Sequence, residues 1–194
     1  MKKILSLFAF VGLMALGANA QGVSGGLKLG LNLSNATISN SGFTTSPSFR
    51  TTFHGGAYLT MMLSEKFGVQ PELLYSGQGA KNGSYTLKMS YITVPVLLRF
   101  NFTEVFSMHL GPQVGILASA KSDFDGESTD VKDSFKGTDI SGALGLGVDL
   151  PMGLNFGFRF VKGFSNILDG DTDGTKQKNY GLQFSAGYKL FGKK

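Results

Sequence analysis

The sequence feature that most constrains the fold is the alternation of apolar and polar side chains along residues 67–81. One parity carries the apolar side chains Phe67, Val69, Pro71, Leu73 and Tyr75. The other parity carries Gly68, Gln70, Glu72, Ser76 and Gln78, with Leu74 as the exception. Because successive side chains of a β-strand point to opposite faces, the pattern predicts a strand with one apolar and one polar face. A tilted strand of about 9–11 residues crosses a bilayer, so this segment is long enough to span one.

The same alternation recurs along the chain and predicts eight strands in antiparallel succession. The predicted strands cover residues 23–35, 51–63, 67–81, 85–101, 105–118, 138–150, 154–166 and 179–191. Tight turns follow the second, fourth and sixth strands, whereas long polar loops, including residues 119–136, follow the first, fifth and seventh. Short turns on one rim and longer loops on the other are typical of outer-membrane barrels. The predicted fold class is therefore all-β, an eight-stranded antiparallel up-and-down transmembrane β-barrel of the outer-membrane type.

Two local features complicate this pattern. In the fourth predicted strand the apolar parity changes after Tyr91, which predicts a β-bulge near that residue, because one extra residue reverses the phase of a strand. Three consecutive predicted strands also contain a proline: Pro71, Pro95 and Pro112. Proline cannot donate to a sheet ladder, so we expect a bulge or a locally unpaired patch where these residues lie.

Residues 1–20 have the composition of a cleaved secretory signal peptide. Lys2 and Lys3 precede an apolar run over residues 4–16, and Ala18, Asn19 and Ala20 form an A-x-A cleavage motif. The predicted organisation is a signal peptide at residues 1–20 and one outer-membrane β-barrel domain at residues 21–194. The chain has no cysteine, which excludes disulfides, cysteine metal sites and a lipoprotein anchor.

Alternation alone does not say which face of the barrel meets water. A soluble lipocalin-type barrel also has eight strands with one apolar face, and that face points inward. Glycine, serine and charged residues crowd the polar parity here, and such small or polar side chains suit a narrow polar interior. Aromatic residues cluster towards both ends of the strands, like the two interfacial girdles of membrane proteins. The sequence therefore favours a membrane barrel whose apolar face meets lipid.

Several segments, taken together and in order, resemble a known family. They are QPELLYSGQGAK at residues 70–81, YITVPVLLRF at 91–100, HLGPQVGILASAK at 109–121, GLGVDLPMGLNFGFRFVKGFSNI at 145–167 and NYGLQFSAGYKL at 179–190. These segments resemble those of the PorT-like outer-membrane β-barrel family of porin-annotated proteins. The resemblance implies a small outer-membrane barrel without implying one activity, and it permits a component of a protein-secretion apparatus.

Charged side chains on the polar parity predict a network inside the barrel. The candidate members are Lys28, Glu72, Arg99, Asp149, Arg159 and Lys189, and Lys88 shares their predicted face. Unpaired charge in a narrow lumen is costly, so these groups are expected to pair, with Glu72 as the centre. An eight-stranded barrel leaves interior room only for side chains. The network therefore predicts a salt-bridged plug in preference to a conducting path.

Other candidate sites carry weaker signals. Asp169, Asp171 and Asp173 form the first half of a calcium-loop motif, but Tyr180 stands where the motif has its final glutamate. They form a candidate loop cation site, whose alternative is a flexible polar loop. His54 and His109 are the only histidines; both fall on the predicted lumen parity, without triad spacing. We therefore predict no enzyme activity and no cofactor.

The predicted role is structural or surface-interacting, with the extracellular loops as contact elements. The alternatives are a narrow porin-like channel and a PorT-like secretion component. Basic residues outside residues 1–20 outnumber the 13 acidic residues by only a few, which is too small an excess to predict nucleic-acid binding. The expected partners are outer-membrane lipid and lipopolysaccharide, which the acidic loops would contact through divalent ions, together with envelope or surface proteins. The expected state is a monomer in the cell outer membrane.

Overall fold

The computed structural model describes residues 22–40, 43–170 and 174–192. Within these ranges the chain forms ten strands and one short 3-10 helix at Lys132–Ser134. The strands are β1 (Gly22–Asn40), β2 (Phe43–Thr45), β3 (Ser48–Met62), β4 (Phe67–Asn82), β5 (Tyr85–Asn101), β6 (Phe106–Phe124), β7 (Glu127–Asp130), β8 (Thr138–Asp149), β9 (Leu154–Gly163) and β10 (Lys176–Phe191). The predicted signal peptide lies outside the described residues.

Eight of the described strands close into a ring. Each long strand pairs antiparallel with the next long strand along the chain, and β10 pairs with β1 to complete the circle. The closing register runs from Gly26 opposite Lys189 to Ser39 opposite Lys176. Closure satisfies the backbone hydrogen bonds that an open edge would leave unpaired. The short strands β2 and β7 pair only with the outer ends of β1 and β6. The predicted eight-stranded up-and-down barrel is confirmed.

The two faces of the barrel wall are opposite in polarity. Apolar side chains project outward on every wall strand, as shown by Leu29, which is 70% exposed. Charged and amide side chains project inward, as shown by Glu72, which is only 3% exposed. A lipocalin-type barrel would have the reverse arrangement, so that alternative is wrong. In the described part of the chain, no helix has the length and apolarity that a membrane crossing requires.

The predicted β-bulge near Tyr91 is confirmed, but the predicted exchange of the two faces of β5 is wrong. An irregularity does occur between Ser90 and Tyr91, but the extra residue lies opposite, on β6, because Ser90 pairs with Ser119 and Tyr91 with Leu117. The faces of β5 therefore do not exchange, and its outer half points Leu87, Met89 and Tyr91 inward, where they are buried. These apolar side chains form a core inside the outer mouth of the barrel.

Part of the predicted loop at residues 119–136 is also a strand. The strand β6 continues to Phe124, and β7 folds back on it with Lys121 opposite Asp130. Because both segments are polar on both faces, they lack the alternation that marks the other strands. They form a hairpin that rises beyond the ring.

The three prolines interrupt the ladder without changing its register. The recorded pairs between β4 and β5 go from Pro71–Val96 directly to Leu74–Thr93, and those between β5 and β6 go from Pro95–Gln113 to Leu98–Leu110. The locally unpaired patch is therefore confirmed, and no bulge occurs there. A missing proline N–H removes hydrogen bonds without adding a residue.

Candidate functional site

A buried ion cluster fills the middle of the lumen, centred on Glu72 of β4. Lys28 of β1 donates a hydrogen bond to Glu72 Oε1 at 2.7 Å. Arg159 of β9 donates two hydrogen bonds to the same carboxylate, one of 2.9 Å to Oε1 and one of 3.0 Å to Oε2. These strands are not neighbours in the ring, so the cluster crosses the lumen from wall to wall.

A second ion pair lies closer to the turn rim. Arg99 of β5 forms a salt bridge with Asp149 of β8 and donates from Nε to Asn101 Oδ1 at 2.8 Å. Gln70 joins the two sites, because its Nε2 donates to Glu72 Oε1 at 2.7 Å and its Oε1 accepts from Arg99 at 3.3 Å. The network therefore links Lys28, Glu72, Arg159, Arg99 and Asp149 through one amide.

The network leaves little open space. The Lys28 ammonium also lies 5.3 Å from the centroid of the Tyr58 ring, whose hydroxyl accepts from Asn155 at 2.8 Å. The cavity beside these groups has a volume of about 30 Å³. That is enough for ordered water and too small for a solute. Three cations share two carboxylates here, which matches a hydrogen-bonded plug better than an ion path.

Two residues expected on the lumen face do not join the network. Among the described residues Lys189 forms no ion pair. It lies near the end of β10, beside a register shift at the turn rim, and it is half-buried. Lys88 points outward and pairs with Asp123 on the outer surface, because β5 keeps one parity over its whole length.

Both histidines lie buried in the lumen. His54 contacts Asn32 Oδ1 through Nδ1 at 2.7 Å and Ser185 Oγ through Nε2 at 2.8 Å. This Ser–His–Asn order matches a hydrolase triad in its hydrogen bonding. Ser185, however, borders the water-sized cavity. It lies on β10, whose backbone pairs with β1 on one side and β9 on the other, so the N–H groups of these strands are used in the hydrogen bonds of the sheet. His109 Nε2 lies 3.3 Å from Ser107 Oγ.

The outer half of the lumen is closed by an apolar cap. Leu87, Met89, Tyr91, Leu117, Ala120 and Ile167 form a buried cluster, and Val131 and Phe135 pack against it. Backbone hydrogen bonds hold the loop segments together, including Lys136 N to Ile167 O at 2.8 Å. Beneath the cap, Asp139 accepts hydrogen bonds from Asn179 at 3.0 Å and Ser165 at 2.8 Å. The cap therefore joins the β6–β8 loop to the β9–β10 loop across the mouth.

The candidate loop cation site remains a prediction. Asp169 is exposed and its backbone N–H bonds to Ser134 O at 3.0 Å, whereas Asp171 and Asp173 fall outside the described residues. Among the residues that the structure describes, no group of three or more His, Cys, Asp or Glu side chains is placed to hold a metal.

Comparison with known proteins agrees with an inward polar face and an outward apolar one. The family model of the outer membrane protein beta-barrel domain matches residues 19–169. The chain belongs to this family. As a member of the outer membrane protein beta-barrel domain family, it resides in the outer membrane, and its outward apolar face meets lipid.

Solved structures of other small outer-membrane barrels are similar in fold. Ail, the attachment invasion locus protein of Yersinia pestis, is 17% identical over 86% of this chain and 98% of its own, with a TM-score of 0.50. Neisserial surface protein A is 15% identical over 84% of this chain and 97% of its own, with a TM-score of 0.49. OprG from Pseudomonas aeruginosa is 17% identical over 87% of this chain and 94% of its own, with a TM-score of 0.39. No curated protein matches the sequence.

In this family member, sequence reasoning missed the polar relays and the cap. Gln70 lies on the expected parity, but nothing in the sequence marks it as the link between two ion pairs. Ser185 and Asn32 meet His54 only because β10 closes on β1 and β1 pairs with β3. The cap did leave a signal, the shared parity of Leu87, Met89 and Tyr91, which indicates an inward core once the bulge is placed on β6.

Proposed function

We propose that this protein is a closed, monomeric outer-membrane barrel that acts through contacts made by its outer hairpins and loops. It is not proposed to be an enzyme. The observation that carries the proposal is the wall-to-wall Glu72 cluster, which fills the lumen, while Phe43 and Phe124 at the ends of the outer hairpins are exposed. Because side chains fill the lumen, the outer surface is the part of the barrel that is available for binding a partner.

The outer hairpins have the composition of a contact surface. At the end of the β1–β2 hairpin Phe43 is 82% exposed, and at the end of the β6–β7 hairpin Phe124 is 58% exposed. Exposed aromatic side chains on a polar surface are the usual anchors of protein interfaces. The β1–β2 hairpin is also braced, because Asn40 Nδ2 donates to Thr175 Oγ1 at 2.8 Å.

The chemistry around these aromatics suggests the class of partner. The β6–β7 hairpin and the loop that follows carry four exposed acids, Asp125, Glu127, Asp130 and Asp133. Aromatic anchors surrounded by acids suit a protein partner with basic side chains. An envelope or surface protein is therefore the proposed contact, while lipopolysaccharide and outer-membrane lipid surround the wall.

Crosslinking on intact cells tests this proposal. A deletion strain is complemented with the wild type, with a tip variant (Phe43→Ser and Phe124→Ser), or with a matched variant of two exposed apolar residues on the turn rim (Phe102→Ser and Met152→Ser). We expect the wild type to give specific higher-mass adducts with an impermeant amine-reactive reagent. The tip variant should lose them and the turn-rim variant should keep them.

The same experiment separates the alternatives. A parallel sample is treated with an amine-reactive reagent that crosses the outer membrane, and adducts that form only with this reagent, survive in the tip variant and disappear in the turn-rim variant would favour a PorT-like secretion component with a periplasmic contact. No adducts with the wild type, at expression levels matched by heat-modifiable gel migration, would contradict a contact role. The narrow channel makes a separate prediction, a measurable conductance.

A further inference from the structure

A buried carboxylate beneath the cap has no cation beside it. Asp139 of β8 points into the lumen and is only 4% exposed. It accepts hydrogen bonds from Asn179 Nδ2 at 3.0 Å and from Ser165 Oγ at 2.8 Å, and among the described residues it forms no ion pair. Taking an ionised carboxylate out of water without a compensating charge is costly. Asp139 therefore has to take up either a proton or a cation from outside the described side chains.

The cations of the Glu72 cluster lie too far away to compensate Asp139. Ser141, two residues after Asp139, lies opposite Gly163 of β9. Arg159 stands four residues from Gly163 towards the turn rim, about 13 Å along the strand. Two of its nitrogens already donate to the Glu72 carboxylate. The upper lumen therefore holds a negative charge that is separate from the ion cluster below it.

An oxygen without a partner lies next to this carboxylate. Asn179 is 5% exposed, and its Nδ2 donates both to Asp139 and, at 3.3 Å, to the Tyr91 hydroxyl. Its Oδ1 is buried and accepts no hydrogen bond from the residues that the structure describes. A proton on Asp139 would neutralise the carboxylate without giving this oxygen a partner, whereas a cation would satisfy both groups.

A small polar cavity borders both groups. Its volume is about 20 Å³, and its lining includes Asp139, Asn179, Ser34 and Ser141. A space of this size holds one guest as large as a water molecule. Carboxylate, amide and hydroxyl oxygens are the ligands that hard cations prefer. The cap closes the mouth above the cavity, and electrostatic interactions are stronger in such a water-poor environment.

We propose that this cavity binds one dehydrated monovalent cation of the size of sodium, with Asp139 and Asn179 Oδ1 as ligands. One positive charge neutralises the one carboxylate, whereas a divalent ion would leave an excess charge buried. By keeping Asp139 ionised, the cation also maintains the hydrogen bond that joins β8 to Ser165 of the β9–β10 loop. A buried cation that orders the mouth of the barrel goes beyond the contact role proposed for the hairpins.

The sodium dependence of folding tests this proposal. The purified full-length protein is unfolded and refolded by urea in phosphatidylcholine vesicles, while choline chloride replaces sodium chloride stepwise at constant ionic strength. Choline is too large for a cavity of about 20 Å³. An ion that binds only the folded state raises the folding equilibrium constant with its concentration. For one ion per barrel, we expect a rise of about tenfold for each tenfold increase in sodium above the dissociation constant.

Three variants locate the sodium response. Asp139→Asn removes the charge and should abolish the response. Asp133→Asn, at an exposed position in the loop before β8, is the matched control and should keep it. Asn179→Leu keeps the carboxylate but removes the amide oxygen, so about tenfold more sodium should be required for the same response. Heat-modifiable migration verifies that each variant folds.

Several results would overturn the proposal. Equal stability of the wild type in sodium and in choline would mean that a proton neutralises Asp139. A full response in Asp139→Asn, or its loss in Asp133→Asn, would place the ion elsewhere. If Asp139→Asn does not fold, Asn179→Leu decides, and an unchanged response in that variant would contradict the site. The cell-surface adducts depend on the hairpin tips, so the two proposals fail independently.

Discussion

Replacing the carboxylate at the centre of the lumen, by Glu72→Gln, should destabilise the barrel strongly. The carboxylate accepts four hydrogen bonds of 2.7–3.0 Å, from Lys28, Gln70 and both Arg159 nitrogens. The amide keeps the volume, so no cavity forms, but it leaves two buried cations without their anion. Removing one partner of a buried ion pair costs about 3–5 kcal/mol. We expect the free energy of unfolding to fall by about that amount.

The measurement is reversible urea unfolding in lipid vesicles. The chain contains no tryptophan, so far-ultraviolet circular dichroism and heat-modifiable gel migration replace indole fluorescence. Glu65→Gln, at an exposed position in the β3–β4 turn, is the matched control and should change the free energy by less than about 0.5 kcal/mol. Adding Lys28→Met to Glu72→Gln should recover part of the loss, because it removes an unpaired buried cation. A loss below about 1 kcal/mol for Glu72→Gln would refute the reasoning and indicate a well-hydrated lumen.

Three further changes have expected outcomes. Lys189→Gln should alter the urea-derived free energy by less than about 0.5 kcal/mol, because Lys189 forms no ion pair among the described residues; a loss of several times that size would contradict its placement outside the network. Ile167→Ser, at a fully buried position of the cap, should speed protease cleavage of the outer loops while heat-modifiable migration stays unchanged, and unchanged cleavage would mean that the cap does not order the loops. Gly56→Ala should prevent barrel assembly, since the added Cβ would lie 2.0 Å from the Leu73 carbonyl oxygen; normal heat-modifiable migration would argue against that close approach.

The fold was predictable because its signal is local. Each wall strand has its own period-two alternation and is bounded by turn residues, and these local patterns located the eight wall strands and the outward apolar face. The pairing of β6 with β7 was not predictable in this way, because a hairpin that rises beyond the membrane has water on both faces and no alternation.

The candidate site was predictable only in its composition. The alternation of apolar and polar residues placed Lys28, Glu72 and Arg159 on the polar face of their strands, which points into the lumen. Which charges meet depends on which strands face each other across the lumen, and parity carries no such information. For the same reason the contact of His54 with Ser185 had no sequence signature, since it follows from closure of the ring.

The most direct test of a closed lumen is conductance of the purified protein in planar lipid bilayers. With the Glu72 cluster and the cap in place, we expect no steady open-channel current, while a large-pore porin inserted in the same membranes conducts normally. Heat-modifiable migration of the same preparation verifies that the barrel is folded. Steady steps of porin size from the folded wild type would contradict the plugged barrel.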